Sequence, residues 1–189
     1  GVQTCALPIF GEVGDELISN PTVRGVSFTG STAVGAQVAA KAGGLLKKCC
    51  VELGGKDALI VLEDADIEQA VNAATFGAFM HQGQICMSVE RVIVHRAIAE
   101  EFTAKFVANT RKLKVGNPRE LGNCIGPIIN QRQLDKIRDQ VDDAVAKGAK
   151  VLCGGKHQGL FFEPTILTNI TRDMKVMREE TFGPIAPVI

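Results

Sequence analysis

Tryptophan and tyrosine are both absent from the 189 residues, which leaves nine phenylalanines as the only aromatics. Side chains that join a broad apolar body to a polar tip are the usual anchors for sugar and protein surfaces, so recognition of that kind has few means here. Neither sign of charge is in excess, with 21 Lys and Arg against 21 Asp and Glu. That balance argues against nucleic acid or an anionic membrane as the main partner. No apolar run reaches the ~18–20 residues a membrane-spanning helix needs. The start shows no basic segment leading into an apolar one, so no secretory signal is visible. The six cysteines, at positions 5, 49, 50, 86, 124 and 153, form no C-x-x-C, and His81, His95 and His157 are not spaced against them as zinc ligands. The expectation is a reduced, cytoplasmic protein.

What the chain does have is apolar residue: 46% of the total, ample for a packed core. Its two ends look cut. The last eight residues, FGPIAPVI, are an apolar run entering a strand with no stop signal after it. The first nine, GVQTCALPI, show neither helical nor alternating periodicity. The sequencing-adapter string GGAGTTCAGACGTGTGCTCTTCCGATC spells them codon for codon. Residues 1–9 therefore read as an assembly artefact, with protein starting near Phe10 and Cys5 carrying no chemistry.

From there the pattern is α/β. A short loop and helix runs to Asn20-Pro21. GVSFTG (25–30) alternates like a strand, Gly30-Ser31-Thr32 turns the chain, and VGAQVAAKAGG is a small-residue helix ending at Gly43-Gly44. LKKCCVEL (46–53) returns as a strand, completing a β-α-β unit of the kind that supports a parallel sheet. Gly54-Gly55 breaks the chain, which divides it into 10–53 and 54–189. Beyond the break lie a buried strand at 58–62, an amphipathic helix at 65–80, a strand at 91–95 and a helix at 97–113. A loop, a polar-faced helix closed by Gly148, and strands in KVLCGG and FFEPTILTNI complete the chain.

Three positions invite chemistry. Cys86 follows the 65–80 helix in a glycine turn, GQICMS, where backbone N–H groups favour a thiolate; an inert, buried cysteine is the bland alternative. Glu52 ends a strand between Val51 and Leu53, immediately before Gly-Gly, where a carboxylate is costly unless it is paired, functional or simply exposed. Ser31 or Thr32 caps the following helix, leaving N–H groups for an anion, although this is not the G-x-G-x-x-G fingerprint. His81 lies five residues before Cys86 with no orienting third group evident. Cys49 and Cys50 point to opposite faces of a strand and read as packing residues. Cys124 and Cys153 have no evident partner, and the charged stretch 131–143 reads as a solvated helix face.

Four stretches taken in order, FTGSTAVG (28–35), VELGGKD (51–57), GQICMS (83–88) and EETFGPIAPV (179–188), resemble the aldehyde dehydrogenase superfamily. Glu52 and Cys86 stand 34 positions apart, as the family has them. The resemblance implies the end of a Rossmann-type cofactor domain (10–53) followed by most of a catalytic, thiol-bearing domain (54–189). It implies NAD or NADP as cofactor and Cys86 as the nucleophile, forming a thiohemiacetal and then a thioester. Glu52 becomes the base that activates water. Gly30, Ser31, Val34 and Gly35 are placed at the pyrophosphate turn. Leu53 offers its carbonyl to the carboxamide with Gly54 beside it, Glu180 binds the nicotinamide ribose and Phe182 packs near the ring.

HQGQICMSVERVIVH is more similar to bacterial aromatic-aldehyde members, of the benzaldehyde, vanillin or salicylaldehyde kind, than to betaine or semialdehyde members. In the family an upstream asparagine completes the oxyanion site, earlier strands complete the cofactor cradle, and a downstream strand supports a homodimer or homotetramer. The expectation is a fragment that is inactive alone. Two rivals stand beside it. A CoA-acylating semialdehyde dehydrogenase is disfavoured by Glu52, since a thiol acceptor makes a water-activating base superfluous. The other is a non-catalytic α/β module that retains the motifs.

Overall fold

The computed structural model describes residues 11–189, so the adapter expectation for residues 1–9 lies outside the described residues. The α/β class expected from the sequence is the class found. The chain divides into two compact units between Gly54 and Gly55.

In the first unit, helix α1 (Gly11–Ser19) precedes strand β1 (Gly25–Thr29), helix α2 (Thr32–Gly44) and strand β2 (Lys48–Glu52). β1 and β2 are parallel, with Thr29 opposite Glu52. Lys47 Nζ donates to the Asn20 carbonyl at 2.7 Å and to that of Ile18, which satisfies backbone left open at the end of α1. β2 starts two residues later than the sequence suggests, because Leu46 takes a left-handed conformation (φ 55°). Cys49 and Cys50, expected as packing residues, are both exposed in this structure. Among the described residues β2 pairs only with β1, and Val51 alone of its side chains is partly covered.

The second unit holds the larger sheet. Strands β3 (Asp57–Val61) and β4 (Val89–Val94) are parallel, joined by helix α3 (Ile67–Phe79). After helices α4 (Ala99–Thr110) and α5 (Gln131–Ala146) come β5 (Lys150–Cys153), the small hairpin β6 (His157–Gln158) and β7 (Phe161–Phe162), β8 (Thr165–Thr168), α6 (Lys175–Arg178) and β9 (Ile185–Pro187). β9 runs parallel to β8, which pairs antiparallel with β5. A parallel bridge from Val92 to Val188, with Val94 N–H donating to the Ile189 carbonyl at 2.9 Å, links β4 to β9. FFEPTILTNI, expected as one strand segment, splits at Glu163-Pro164, since proline gives the ladder no N–H.

Two apolar clusters hold this unit. Phe79, Phe102 and Phe106 stack between α3 and α4, with ring centroids 5.7–5.9 Å apart. α5 buries Leu134, Ile137, Val141 and Ala144 against Leu167, Val176 and Ile185. The charged stretch 131–143 is therefore the outer face of an amphipathic helix, as its spacing suggested. Asp143 binds both Lys147 Nζ and the Lys175 N–H at 2.8 Å, fastening α5 to α6.

The exit from α3 is the fold's sharpest feature. His81, Gln82 and Gly83 are consecutively left-handed (φ 54°, 59° and 66°), a conformation that costs a non-glycine residue about 1–3 kcal/mol. A Cβ on Gly83 would run into the Gly183 carbonyl, and one on Gly183 would run into Ile137. Two glycine backbones thus touch, which lays the turn before Cys86 against the segment that enters β9.

Two outcomes follow for stability. Gly83→Ala should lower thermal stability by at least about 2 kcal/mol, through strain plus overpacking; an unchanged melting temperature would contradict the contact. The Asp143 carboxyl is held below its ordinary pKa, first by the Lys147 bond and then by the Lys175 N–H. Its contribution is complete above the unfolded value of about 3.9 and disappears as pH falls through the lower folded value. Asp143→Asn should therefore melt earlier than the parent at pH 7, with the gap closing towards about pH 2.

Candidate active site

Within the first unit the turn after β1 carries the expected anion-binding features. Ser31 is the N-cap of α2, its Oγ accepting from the Val34 N–H at 3.4 Å. A Cβ on Gly35 would collide with the Leu53 side chain, so glycine is what lets the first turn of α2 lie on the end of β2. Gly30 N–H donates to the Glu52 carbonyl at 3.0 Å, and a Cβ on Gly30 would press on the Phe28 ring. Gly30, Ser31, Gly35 and Leu53 are thereby drawn to one end of the β1–β2 pair. Val34 is exposed on α2, and Glu52 and Gly54 are also exposed. An exposed helix N-terminus beside a glycine that admits no side chain suits a pyrophosphate.

Within the second unit Cys86 is exposed, with half-buried Ile85 on one side and Met87, 76% exposed, on the other. The buried-thiol alternative is thus not its situation in this structure. Ser88, the last residue of this loop, is buried and donates to the Gly77 carbonyl at 3.0 Å, pinning the loop to α3. Gly55 lies against the Cys86 carbonyl, where a Cβ would stand 3.2 Å away. The same Gly55 donates its N–H to Glu180 Oε1 at 3.3 Å. One glycine therefore touches both the cysteine loop and the carboxylate expected to hold ribose.

The most polar part of the unit lies behind that carboxylate. Glu90 sits on the buried face of β4, in line with Val92 and Val94. Its side chain is only 4% exposed, and its Oε2 meets Lys56 Nζ at 2.7 Å. Oε1 accepts the Phe182 N–H at 2.8 Å, and the Thr181 N–H reaches both oxygens at 2.8 and 3.0 Å. Gln133 Nε2 donates to the Thr181 and Phe182 carbonyls at 2.8 and 2.9 Å. Gln140 Nε2 donates to the Glu180 carbonyl at 3.2 Å, while its Oε1 accepts the Thr181 hydroxyl at 2.7 Å. Lys56 also donates to that hydroxyl at 2.9 Å. Burial pushes the Lys56 ammonium below the usual lysine range, and Glu90 beside it pulls the other way. Phe182, half-buried, is held at φ 52° within this cage.

Sequence reasoning placed Glu180 and Phe182 but missed Lys56, Glu90, Gln133 and Gln140. A signal existed for Glu90. Alternation along VERVIV puts it on the apolar face, where an unpaired carboxylate is too costly to stand. The glutamines gave no such sign, since exposed and buried glutamines read alike in an amphipathic helix. His81 is exposed. Burial raises the Cys153 thiol pKa, which leaves it less reactive. Among the described residues no group of three His, Cys, Asp or Glu is placed to hold a metal ion, and no helix is long and apolar enough to cross a membrane.

A profile described as "Aldehyde dehydrogenase family" matches residues 7–189, its first three residues falling within the stretch that reads as adapter. A salicylaldehyde dehydrogenase of Pseudomonas sp. strain C18 is 52% identical over 179 residues, covering 94% of this chain and 37% of the relative. The mitochondrial succinate-semialdehyde dehydrogenase of Mus musculus is 48% identical over 182 residues, with 94% and 35% covered. Identity alone does not separate aromatic from semialdehyde relatives. The solved salicylaldehyde dehydrogenase of Pseudomonas putida G7, complexed with salicylaldehyde, matches with a TM-score of 0.91 at 51% identity, covering 94% of this chain and 37% of that one. The chain thus spans little more than a third of the length of these relatives. Motifs, fold and relatives agree, and the chain belongs to the aldehyde dehydrogenase family.

Proposed function

We propose that this chain is part of a longer NAD(P)-dependent enzyme that oxidises an aldehyde, aromatic by preference, to its carboxylic acid. The observation that carries the reading is the exposed Cys86, whose loop follows the strained turn at 81–83 and lies, through Gly55 and the Gly83–Gly183 contact, against the Glu180–Phe182 segment. Residues 10–53 then form the end of the cofactor domain and 54–189 most of the thiol domain.

Cys86 is the nucleophile. Its thiolate attacks the aldehyde carbon, giving a thiohemiacetal whose oxyanion is held by the Cys86 N–H. Bound NAD or NADP would supply the hydride acceptor that conversion of this adduct to a thioester requires. Solved relatives that carry NADP or NAD+ support that cofactor. Ser31 with Gly30, Val34 and Gly35 would hold its pyrophosphate, Leu53 and Gly54 its carboxamide, and Glu180 its nicotinamide ribose, with Phe182 beside the ring. Glu52 takes a proton from water, which attacks the thioester carbon; the acid departs and Cys86 is regenerated as thiolate.

Apolar Ile85 and Met87 beside the thiol and the salicylaldehyde relative at 52% identity support an aromatic substrate. Succinate semialdehyde is the second reading, favoured by the relative at 48%. Location in the cytoplasm and assembly as a homodimer or homotetramer complete the proposal, with no nucleic acid or membrane as partner.

In the full-length protein, Cys86→Ala should reduce NADH formation from salicylaldehyde or benzaldehyde to background. Glu52→Gln should give a burst of NADH near one per site, followed by a steady rate lower by about 10²–10⁴. Sustained turnover in either variant would sink its assigned role, and turnover that requires coenzyme A would favour the acylating rival. A kcat/KM for succinate semialdehyde above that for both aromatic aldehydes would overturn the substrate preference. The 189-residue chain alone should show no sustained turnover with NAD and benzaldehyde; robust activity there would contradict the partial-cradle reading.

A further inference from the structure

We infer that Glu90 is a positioning residue for the nicotinamide half of the cofactor site, acting through the backbone of Thr181 and Phe182. This rests on the dehydrogenase reading above and adds to it a residue that touches neither cofactor nor substrate. Three observations carry it. Glu90 occupies an inward position of β4 where Val92 and Val94 bury hydrocarbon. A carboxylate there is expensive to desolvate, and a packed hydrophobe of similar volume is often at least as stable.

The Glu90 oxygens are spent on one segment. They take the Thr181 and Phe182 N–H groups and the Lys56 ammonium. Gln133 and Gln140 bind the carbonyls of Glu180, Thr181 and Phe182 from the other side. The N–H and C=O groups of two consecutive residues are thus held by side chains rather than by a strand or helix.

The segment so held is strained. Phe182 keeps a left-handed conformation (φ 52°), which persists only where its surroundings over-determine it. The geometry fixes the direction of the two flanking functional side chains, Glu180 and Phe182. Lys56 ties the same cage to Gly55, whose N–H reaches the Glu180 carboxylate. Removing the Glu90 charge should therefore release the ribose carboxylate and the ring-packing phenylalanine together, and leave the adenosine half of the site as it was.

The test uses the full-length protein and its Glu90→Gln variant, with folding checked by thermal melt. NADH binding is read from the cofactor's own fluorescence, and AMP binding, which lacks the nicotinamide half, by calorimetry. Glu90→Gln should weaken NADH roughly tenfold, about 1.4 kcal/mol, raise KM for NAD in parallel, and move AMP affinity less than about twofold. Unchanged NADH affinity overturns the inference. Equal loss of NADH and AMP overturns it too, by showing general damage to the fold. If Glu90→Gln does not fold, Gln133→Ala removes two donors from the same segment and should weaken NADH about threefold with AMP unchanged; NADH binding like the parent's then overturns the inference. A parent that binds no NADH at all instead refutes the dehydrogenase reading on which the inference stands.

Discussion

A buried carboxylate organises the second unit. Glu90 has almost no contact with water, so its charge must be answered by hydrogen-bond donors or the strand that carries it would be unstable there. The answer comes from Lys56 at the start of β3 and from the two N–H groups of the chain entering β9. Charge-assisted hydrogen bonds of this kind contribute about 1.5–3 kcal/mol each, and losing a partner of a buried pair costs about 3–5 kcal/mol. The start of β3, the start of β4 and the approach to β9 are consequently bound to a common point. The two side chains proposed for cofactor roles, Glu180 and Phe182, are held from that point.

Around it, glycine and left-handed backbone set the distances. A side chain on Gly83 would strike the Gly183 carbonyl and one on Gly183 would strike Ile137, while Gly55 fills the narrow space beside the Cys86 carbonyl. The cysteine loop is thereby set against the segment that enters β9 by backbone contact, with Ser88 pinning its far end to α3. Strain at His81, Gln82 and Phe182 accompanies this arrangement. Rigid supports of this kind suit the nucleophile role proposed for Cys86, since covalent catalysis demands one fixed position through successive additions and departures.

Much of this was legible before any coordinates. The alternation in GVSFTG, the Gly43-Gly44 stop and the small-residue helix between them announced a β-α-β unit, because short-range chemistry decides those elements. The spacing of Leu134, Ile137, Val141 and Ala144 announced α5 for the same reason. The left-handed turn at 81–83 was not legible, since a histidine and a glutamine at positive φ violate local preference and are held there by tertiary contact. The break of FFEPTILTNI was readable in principle, as Pro164 cannot serve a ladder. Cys86, Glu52 and Glu180 stood out as candidates through motif order. The supports of the 180–182 segment did not, because Lys56, Glu90, Gln133 and Gln140 become partners only when elements 34 to 125 residues apart meet.

Hydrogen exchange at the Thr181 and Phe182 amides, followed in the peptide that spans residues 179–184 of the full-length protein without cofactor, tests the organising role of Glu90 most directly. Amides donated to a buried carboxylate should be protected to nearly the same degree as the β4 core amides, although they lie in no regular element. Exchange at the rate of an open surface loop would show that the carboxylate does not hold the segment, and the account of the site built on it would fail.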